Sequence, residues 1–496
     1  MRGTRTIAAG AALVVMMSVA AATVPSAPEV KAAGRYRIRS ERVAAGVRLF
    51  RIRDRRGPNR IRVIKLAPAS PFTLDMELAN DVIPGHETTS SMAARNGAVA
   101  AINGDYTLLP SDRYAGRPVH MFAQNSELIT SPLFYGRNFA MTPDEQGFFI
   151  GHPKDRMWLT QSDTGELWDI DDWNELPLAF GEFSVFTTAG DSTFKPPRNA
   201  CSARLLPTST PALRPEQTSV SQSFTVSATR CAAQRLNRQG GVVIAAPWGS
   251  PEGTQIETGL VPGESVTLDW TTGWPGVNET IGGNPTLLEN GIETIGECPS
   301  SSAFCGRNPR TGIGLDAQGR VLMVTVDGRQ EKSVGMTLSE FAELFRFLGA
   351  TSALNLDGGG STTMWVQGQV VNRISDPSER AVGSAILVVA GGPQPQPTPT
   401  ITVSPSVIPS VTPTELASPT PTPTAEPTPQ IQSLSVAESS AISYRCAVLK
   451  DAGSTGGLLD YLARRGMKPF AHSSVREALD IFRGDRYCGA VATPRS

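Results

Sequence analysis

The chain has 496 residues, and 45 Lys+Arg stand against 46 Asp+Glu for a formal net charge of −1. That length suits two or three folded units. The charge balance leaves no electrostatic footprint for nucleic acid, and no segment beyond the N terminus is apolar for long enough to span a membrane.

Residues 1–33 read as a secretory signal. Arg2 and Arg5 precede the apolar run 7–22, and small residues follow, so cleavage falls near Ala22 or Ala33. No cysteine follows the run, which argues against a lipoprotein. An exported chain with six cysteines fits disulfides. Sequence order pairs Cys201–Cys231, Cys298–Cys305 and Cys446–Cys488. Zinc is the competing reading, with poor support from the spacing and from only four histidines.

The stretch 97–102 reads as a buried strand that ends in Asn103-Gly104-Asp105-Tyr106. On its own Asn-Gly marks a turn. Ile281-Gly282-Gly283-Asn284-Pro285 leads to a second turn at Asn290-Gly291. Arg307-Asn308-Pro309-Arg310-Thr311-Gly312 places two arginines before a strand, where an arginine makes a good anion clamp. Residues 321–326 are short, apolar and largely β-branched, so they predict a strand that stops at Asp327-Gly328-Arg329. Thr337-Leu338-Ser339-Glu340 is a capping box that opens a helix. Leu338, Phe341, Ala342, Phe345 and Leu348 form its apolar stripe, and Gly349 sits where a C-terminal glycine belongs.

A strand over 352–356 then ends at the most informative stretch, Asn355-Leu356-Asp357-Gly358-Gly359-Gly360-Ser361-Thr362. A carboxylate is followed by glycines that let backbone N–H groups approach a ligand, and then by hydroxyls. Strand, helix and strand predict two parallel neighbours whose C-terminal ends share an edge. Asp327 and Asp357 would then lie roughly 5–10 Å apart on strands spaced by about 4.8 Å. Ligands favour that edge of open sheets. Asn372 to Arg380 packs polar groups between two strand-like runs and reads on composition as a solvated loop. Residues 391–431 alternate Pro with Thr or Ser and predict an extended, disordered linker. Residues 432–496 predict a small α/β tail held by a disulfide.

Six of these motifs stand in one order: Asn103-Gly104-Asp105-Tyr106, Gly282-Gly283-x-Pro285, Pro309-Arg310-Thr311, Asp327-Gly328-Arg329, the tract 355–362, and Asn372 with Glu379-Arg380-Ala381-Val382. In this the chain resembles the phosphodiester glycosidase family over about residues 43–390. The resemblance implies an α+β hydrolase domain over 35–390, with a mixed sheet, flanking helices and a polar cleft at strand C-terminal ends. It implies cleavage of the C1–O bond of a sugar-1-phosphodiester or a phosphorylated glycan. Asp357 would stabilise the oxocarbenium-like transition state or activate water, with Asp327 and Glu379 as further catalytic carboxylates. Arg310, Arg329 and Arg380, with the N–H groups of Gly358, Gly359 and Gly360, would offset substrate charge. Ser361 and Thr362 would donate to phosphate, while Asn103, Asn355 and Asn372 would read sugar hydroxyls and Asp105 would add to the site. No cofactor follows with certainty. Asp327 and Asp357 as ligands of a divalent cation, calcium or magnesium, are the competing role.

Two other functions are open at this point: a non-catalytic envelope-glycan binding module, and a serine hydrolase using Ser361, which lacks a Gly-x-Ser-x-Gly elbow. The tail resembles part of one lobe of periplasmic amino-acid-binding proteins through Gly453-Ser454-Thr455, Ala478, Gly484, Cys488 and Arg495-Ser496. Gly489 stands where that family usually has aspartate, which leaves an accessory or attachment module. The expected location is secreted, extracellular or periplasmic, in association with the cell envelope.

Overall fold

The computed structural model describes residues 35–391 apart from 56, 109–113, 133–135, 143–144, 146, 176–177, 179, 188, 190–198, 215–217, 232–240, 278, 297 and 299–303. The signal segment, nearly all of the expected linker, the tail and the Cys446–Cys488 pair lie outside the described residues.

In chain order the elements that frame the site are β1 (Tyr36–Ala44), β2 (Val47–Asp54), β3 (Asn59–Leu66), β4 (Phe72–Leu78), α1 (Thr89–Arg95) and β5 (Ala100–Asn103). After α2 (Pro251–Gly259) come β6 (Glu279–Gly283), β7 (Thr286–Glu289), β8 (Arg310–Asp316) and β9 (Val321–Val326). Then follow α3 (Leu338–Phe347), β10 (Ala350–Asn355), β11 (Met364–Val366) and β12 (Ser384–Ala390). Strands dominate, and the fold is of the mixed α+β kind with few helices.

The principal sheet has eight strands in the order β1-β2-β3-β9-β8-β10-β7, closed by Ile292–Glu293. Every pairing in it is antiparallel. The expected parallel neighbours are therefore not neighbours. β9 and β10 run the same way, but β8 lies between them and is antiparallel to both. Their C-terminal ends still share an edge, two spacings or roughly 10 Å apart. The start of β8, with Arg310, is at that same edge.

One face of this sheet is covered by α3. Thr337 caps it, and the reciprocal capping box with Glu340 is present. Leu338, Phe341, Ala342 and Phe345 are buried against Val324, Val326 and Ala353. Alternate positions of β8 are glycines because the aromatic rings come down onto bare backbone. A Cβ at Gly312 would lie 2.9 Å from Phe341, and one at Gly314 would lie 2.9 Å from Phe345. Gly349 ends the helix at φ +90°, in the left-handed region that favours glycine.

The other face packs on a second sheet, ordered Gln369–Val370, β11, β5, β12, β4. Ile313, Met323, Leu354, Ile102 and Ile386 meet there in one core. Strands within residues 156–271 form a separate nine-stranded sheet with its own core, which includes Cys201, Leu205, Phe224 and Trp270. This sheet holds the Cys201–Cys231 disulfide, and Cys298–Cys305 is also formed, as sequence order suggested.

Overpacking a tight helix–sheet contact costs about 1–3 kcal/mol. Gly314→Ala is expected to lower unfolding stability by about that amount, read from the urea midpoint at unchanged slope.

Candidate active site

Three chain segments meet at the shared edge: the end of β10 at Asn355 and Asp357, the end of β5 at Asn103 and Asp105, and the start of β8 at Arg310. The backbones interlock directly. Asp357 N–H donates to Gly104 O (3.1 Å), and Leu356 N–H donates to Thr311 O (2.9 Å). Asn103 is fully buried, and its amide ties the three together. Nδ2 donates to Asp357 O (2.7 Å), while Oδ1 accepts from Thr311 Oγ1 (2.8 Å) and Thr363 N–H (3.1 Å). In place of the sugar-reading role expected for it, Asn103 positions the catalytic candidate.

Asp357 keeps partial solvent access. The surrounding protein nevertheless desolvates it and pushes its pKa up to about 6; the negative charge of Asp105 adds to the rise. The Ser361 hydroxyl, the Arg380 guanidinium and the Gly358 N–H oppose it. The carboxylate that bears on Asp357 is thus Asp105. Asp327 lies on the far side of β8 in basic surroundings. Burial raises its pKa, and Arg62, Arg60 and Arg373 counter the rise. Its Oδ1 accepts from Arg373 N–H (3.1 Å), and its Oδ2 is buried without a hydrogen bond.

Asp105 is itself buried and bound to a residue that sequence reasoning missed. His120 Nδ1 lies 2.7 Å from Asp105 Oδ1, and His120 N–H donates to Asp105 Oδ2 (2.9 Å). Gly282 allows this approach, since a Cβ there would collide with Cβ and Cγ of His120. Backbone pairing of Tyr106 with Val119 and an isolated bridge from Thr107 to Pro118 fold the two residues together. The signal was the short arm Arg117-Pro118-Val119-His120, which pairs back on the strand end that carries Asp105.

Tyr106 and Asn355 close the floor. Asn355 Nδ2 donates to Tyr106 Oη (2.6 Å) and Asn284 O (2.8 Å), and its Oδ1 is buried without a hydrogen bond. Burial, reinforced by Asp357, holds the Tyr106 phenol well above its ordinary range.

The arginines divide by role. Arg310 is buried, with Nε on Met336 O (2.9 Å) and Nη2 on the carbonyls of Phe304 (2.8 Å) and Gly306 (2.6 Å). It anchors the loop closed by Cys298–Cys305. Among the described residues its Nη1 has no hydrogen-bond partner. Burial lowers its pKa to about 10, with Arg329 adding. Arg329 and Arg380 are exposed at the mouth. Arg329 Nη2 donates to Asn308 Oδ1 (3.0 Å), and Arg380 pairs with Asp376 Oδ2 (2.6 Å).

The glycine tract serves these side chains rather than forming a cradle of N–H groups. A Cβ at Gly360 would collide with Arg380 and Asp376, and one at Gly359 would crowd Arg329. Gly359 N–H is taken by Pro309 O (2.9 Å). Ser361 and Thr362 are each 2 % exposed, too enclosed for the phosphate-donor role expected of them or for Ser361 as a nucleophile. Asn372 clips the following turn through Met364 N–H (2.7 Å) and Thr362 O (3.0 Å). Glu379 accepts from Ser90 N–H (2.9 Å) and from the Ser90 hydroxyl at the start of α1, so it stands apart from Asp357 as a helix-end partner. Among the described residues, the one group of three or more His, Cys, Asp or Glu side chains close enough to share an ion is Cys201, Cys231 and Glu257. There the disulfide removes the thiolates.

Residues 218–389 match the family described as phosphodiester glycosidase. The SPbeta prophage-derived uncharacterized protein YomE of Bacillus subtilis (strain 168) is 40% identical over 82 residues, 16% of this chain and 13% of that protein. The N-acetylglucosamine-1-phosphodiester alpha-N-acetylglucosaminidase of Bos taurus is 32% identical over 157 residues, 29% of this chain and 28% of that protein. The chain thus spans less than a third of the length of these relatives. The fold is shared with a hypothetical protein from Synechocystis at TM-score 0.56 and 21% identity, covering 71% of this chain and 63% of that one. A Burkholderia pseudomallei K96243 protein aligns at TM-score 0.53 and 21% identity, covering 67% and 74%. Over residues 218–389 the chain is thus similar to the phosphodiester glycosidase family.

Proposed function

We propose that the domain hydrolyses the sugar–phosphate bond of a sugar-1-phosphodiester, releasing free sugar and a phosphomonoester. The observation that carries this reading is a partly accessible carboxylate, Asp357, with arginines near it and a buried Asp105–His120 pair behind it. A carboxylate near C1 stabilises an oxocarbenium-like transition state or takes a proton from attacking water. A phosphate leaving group is already acidic, so no strong general acid is needed. Arg380, Arg329 and the unpartnered Nη1 of Arg310 supply the positive charge that lets an anion approach a carboxylate. Asn103 and Ser361 hold Asp357 in place, and the His120 contact fixes Asp105. The sugar is of the N-acetylglucosamine type in this reading. The disulfides agree with export, and the envelope is the expected location.

Sugar release from a panel of sugar-1-phosphodiesters tests the reaction. Asp357→Asn should cut kcat/KM by roughly 10²–10⁴-fold with folding intact by circular dichroism. Full activity in that variant removes Asp357 from the mechanism. Silence of the parent protein, with measurable phosphosugar binding, would point to a non-catalytic glycan module. Insensitivity to EDTA would exclude the calcium or magnesium role for Asp357.

The reaction needs the ionised carboxylate, so kcat/KM should fall as pH drops through about 6. Asp105 raises that value, so Asp105→Asn should move the acid limb to lower pH. A limb that stays in place, or moves up, would contradict the assignment.

A further inference from the structure

The chain is nearly neutral, yet β1, β2 and β3 gather arginines on one face. Strand register places Arg37 opposite Arg53 and Arg53 opposite Arg60. The next rung on the same face aligns Arg39, Arg51 and Arg62. Like charges directly opposite destabilise a sheet. The acidic groups recorded against these six are few: Glu41, bound to Arg51 at 2.7 Å, and Asp327, beside Arg60 and Arg62. The strain is felt locally. Burial depresses the Arg62 guanidinium, Asp327 opposes this, and Arg51, Arg60 and Arg53 push it further down.

The same rung leads to the site. Arg62 pairs with Thr325 on β9, and Thr325 pairs with Thr311 on β8. Thr311 donates to Asn103, which holds Asp357. From Thr311 to Arg39 is four strand spacings, or roughly 19 Å. The middle of the rung is roofed by residues 371–373, where Arg62 Nε bonds to Val371 O (3.0 Å) and Arg373 N–H bonds to Asp327. Arg373 is exposed on that roof, and Arg380, farther along the same segment, is exposed at the mouth of the site. Exposed arginines therefore mark both ends of this path, Arg380 at the mouth of the site and Arg37 and Arg39 on the edge strand.

Charged residues on an edge strand commonly guard against edge-to-edge pairing. That explains β1 but not β2 or β3, whose edges are both paired. Guanidinium groups favour phosphate, which they bind with two parallel hydrogen bonds.

We propose that this arginine face is an accessory binding surface for a polymer of sugars joined through phosphodiester links, which it guides toward Asp357. The guiding role rests on the glycosidase reading above. The polymer passes Arg380 at the mouth, crosses the roof at Arg373 and lies along β3, β2 and β1, each phosphate displacing counterions.

The test is binding, read in the Asp357→Asn full-length protein so that the probe stays intact. The probe is a fluorescent phosphodiester-linked N-acetylglucosamine oligomer of about ten units, titrated at several salt concentrations. The triple variant Arg37→Gln, Arg39→Gln, Arg53→Gln should weaken binding about tenfold and flatten the log–log salt slope by about 2. The pair Arg42→Gln, Arg48→Gln removes charge from the opposite face of the same hairpin and should leave binding unchanged. Thermal unfolding confirms that each variant is folded. Equal binding by the triple variant, equal loss in the control pair, or single-stranded DNA of matched charge binding as tightly would overturn the proposal. Face-dependent binding by a protein whose parent form releases no sugar would uphold the surface and reject the glycosidase reading.

Discussion

The site depends on one buried amide. Asn103 has no solvent contact, and its side chain joins Thr311 on β8 to Asp357 and Thr363 in the β10–β11 connection. A buried amide that lost these partners would cost about 1–3 kcal/mol for each unsatisfied group. Both groups of the amide are bonded here, so the geometry is fixed rather than averaged. The principal sheet and the β4–β5–β11–β12 sheet are held together by a large apolar core, which is tolerant of small shifts. The amide sets their registration at the edge where Asp357 emerges.

Much of this edge was legible in sequence because it is built from local signals. The box at Thr337 and Glu340, the stripe on α3 and the cysteine order all describe contacts between residues close in the chain. The carboxylate before the glycines was legible for the same reason. The errors share another cause. Placing β9 beside β10 assumed that a strand–helix–strand unit pairs its own strands, whereas the hairpin partner β8 inserts between them. The hydroxyls of Ser361 and Thr362 looked available in one dimension and are enclosed in three. Asp105 and His120 meet only after an intervening segment folds back, and no spacing rule marks that return.

The electrostatics form a gradient rather than a set of pairs. Close to Asp357 the protein supplies carboxylate, hydroxyl and phenol, and desolvation raises the pKa of the Asp357 carboxyl. Outward, Arg329 and Arg380 reverse the sign. The two glycines at 359 and 360 let that reversal occur within a few ångströms, since side chains there would displace both outer guanidinium groups.

Arg310 grips its loop through the carbonyl oxygens of Phe304, Cys305 and Gly306, and its guanidinium also lies 6.0 Å from the centre of the Phe304 ring. Carbonyls are common to every residue, so the hydrogen-bonded part of this clamp does not depend on side-chain identity, whereas the ring contact does. Phe304 stands with its ring 6.3 Å from that of Tyr106, beside the floor of the site. A replacement at 304 would remove the ring from beside both Arg310 and Tyr106 and leave the three carbonyl acceptors in place. The arrangement separates what holds the loop from what the loop displays beside Tyr106.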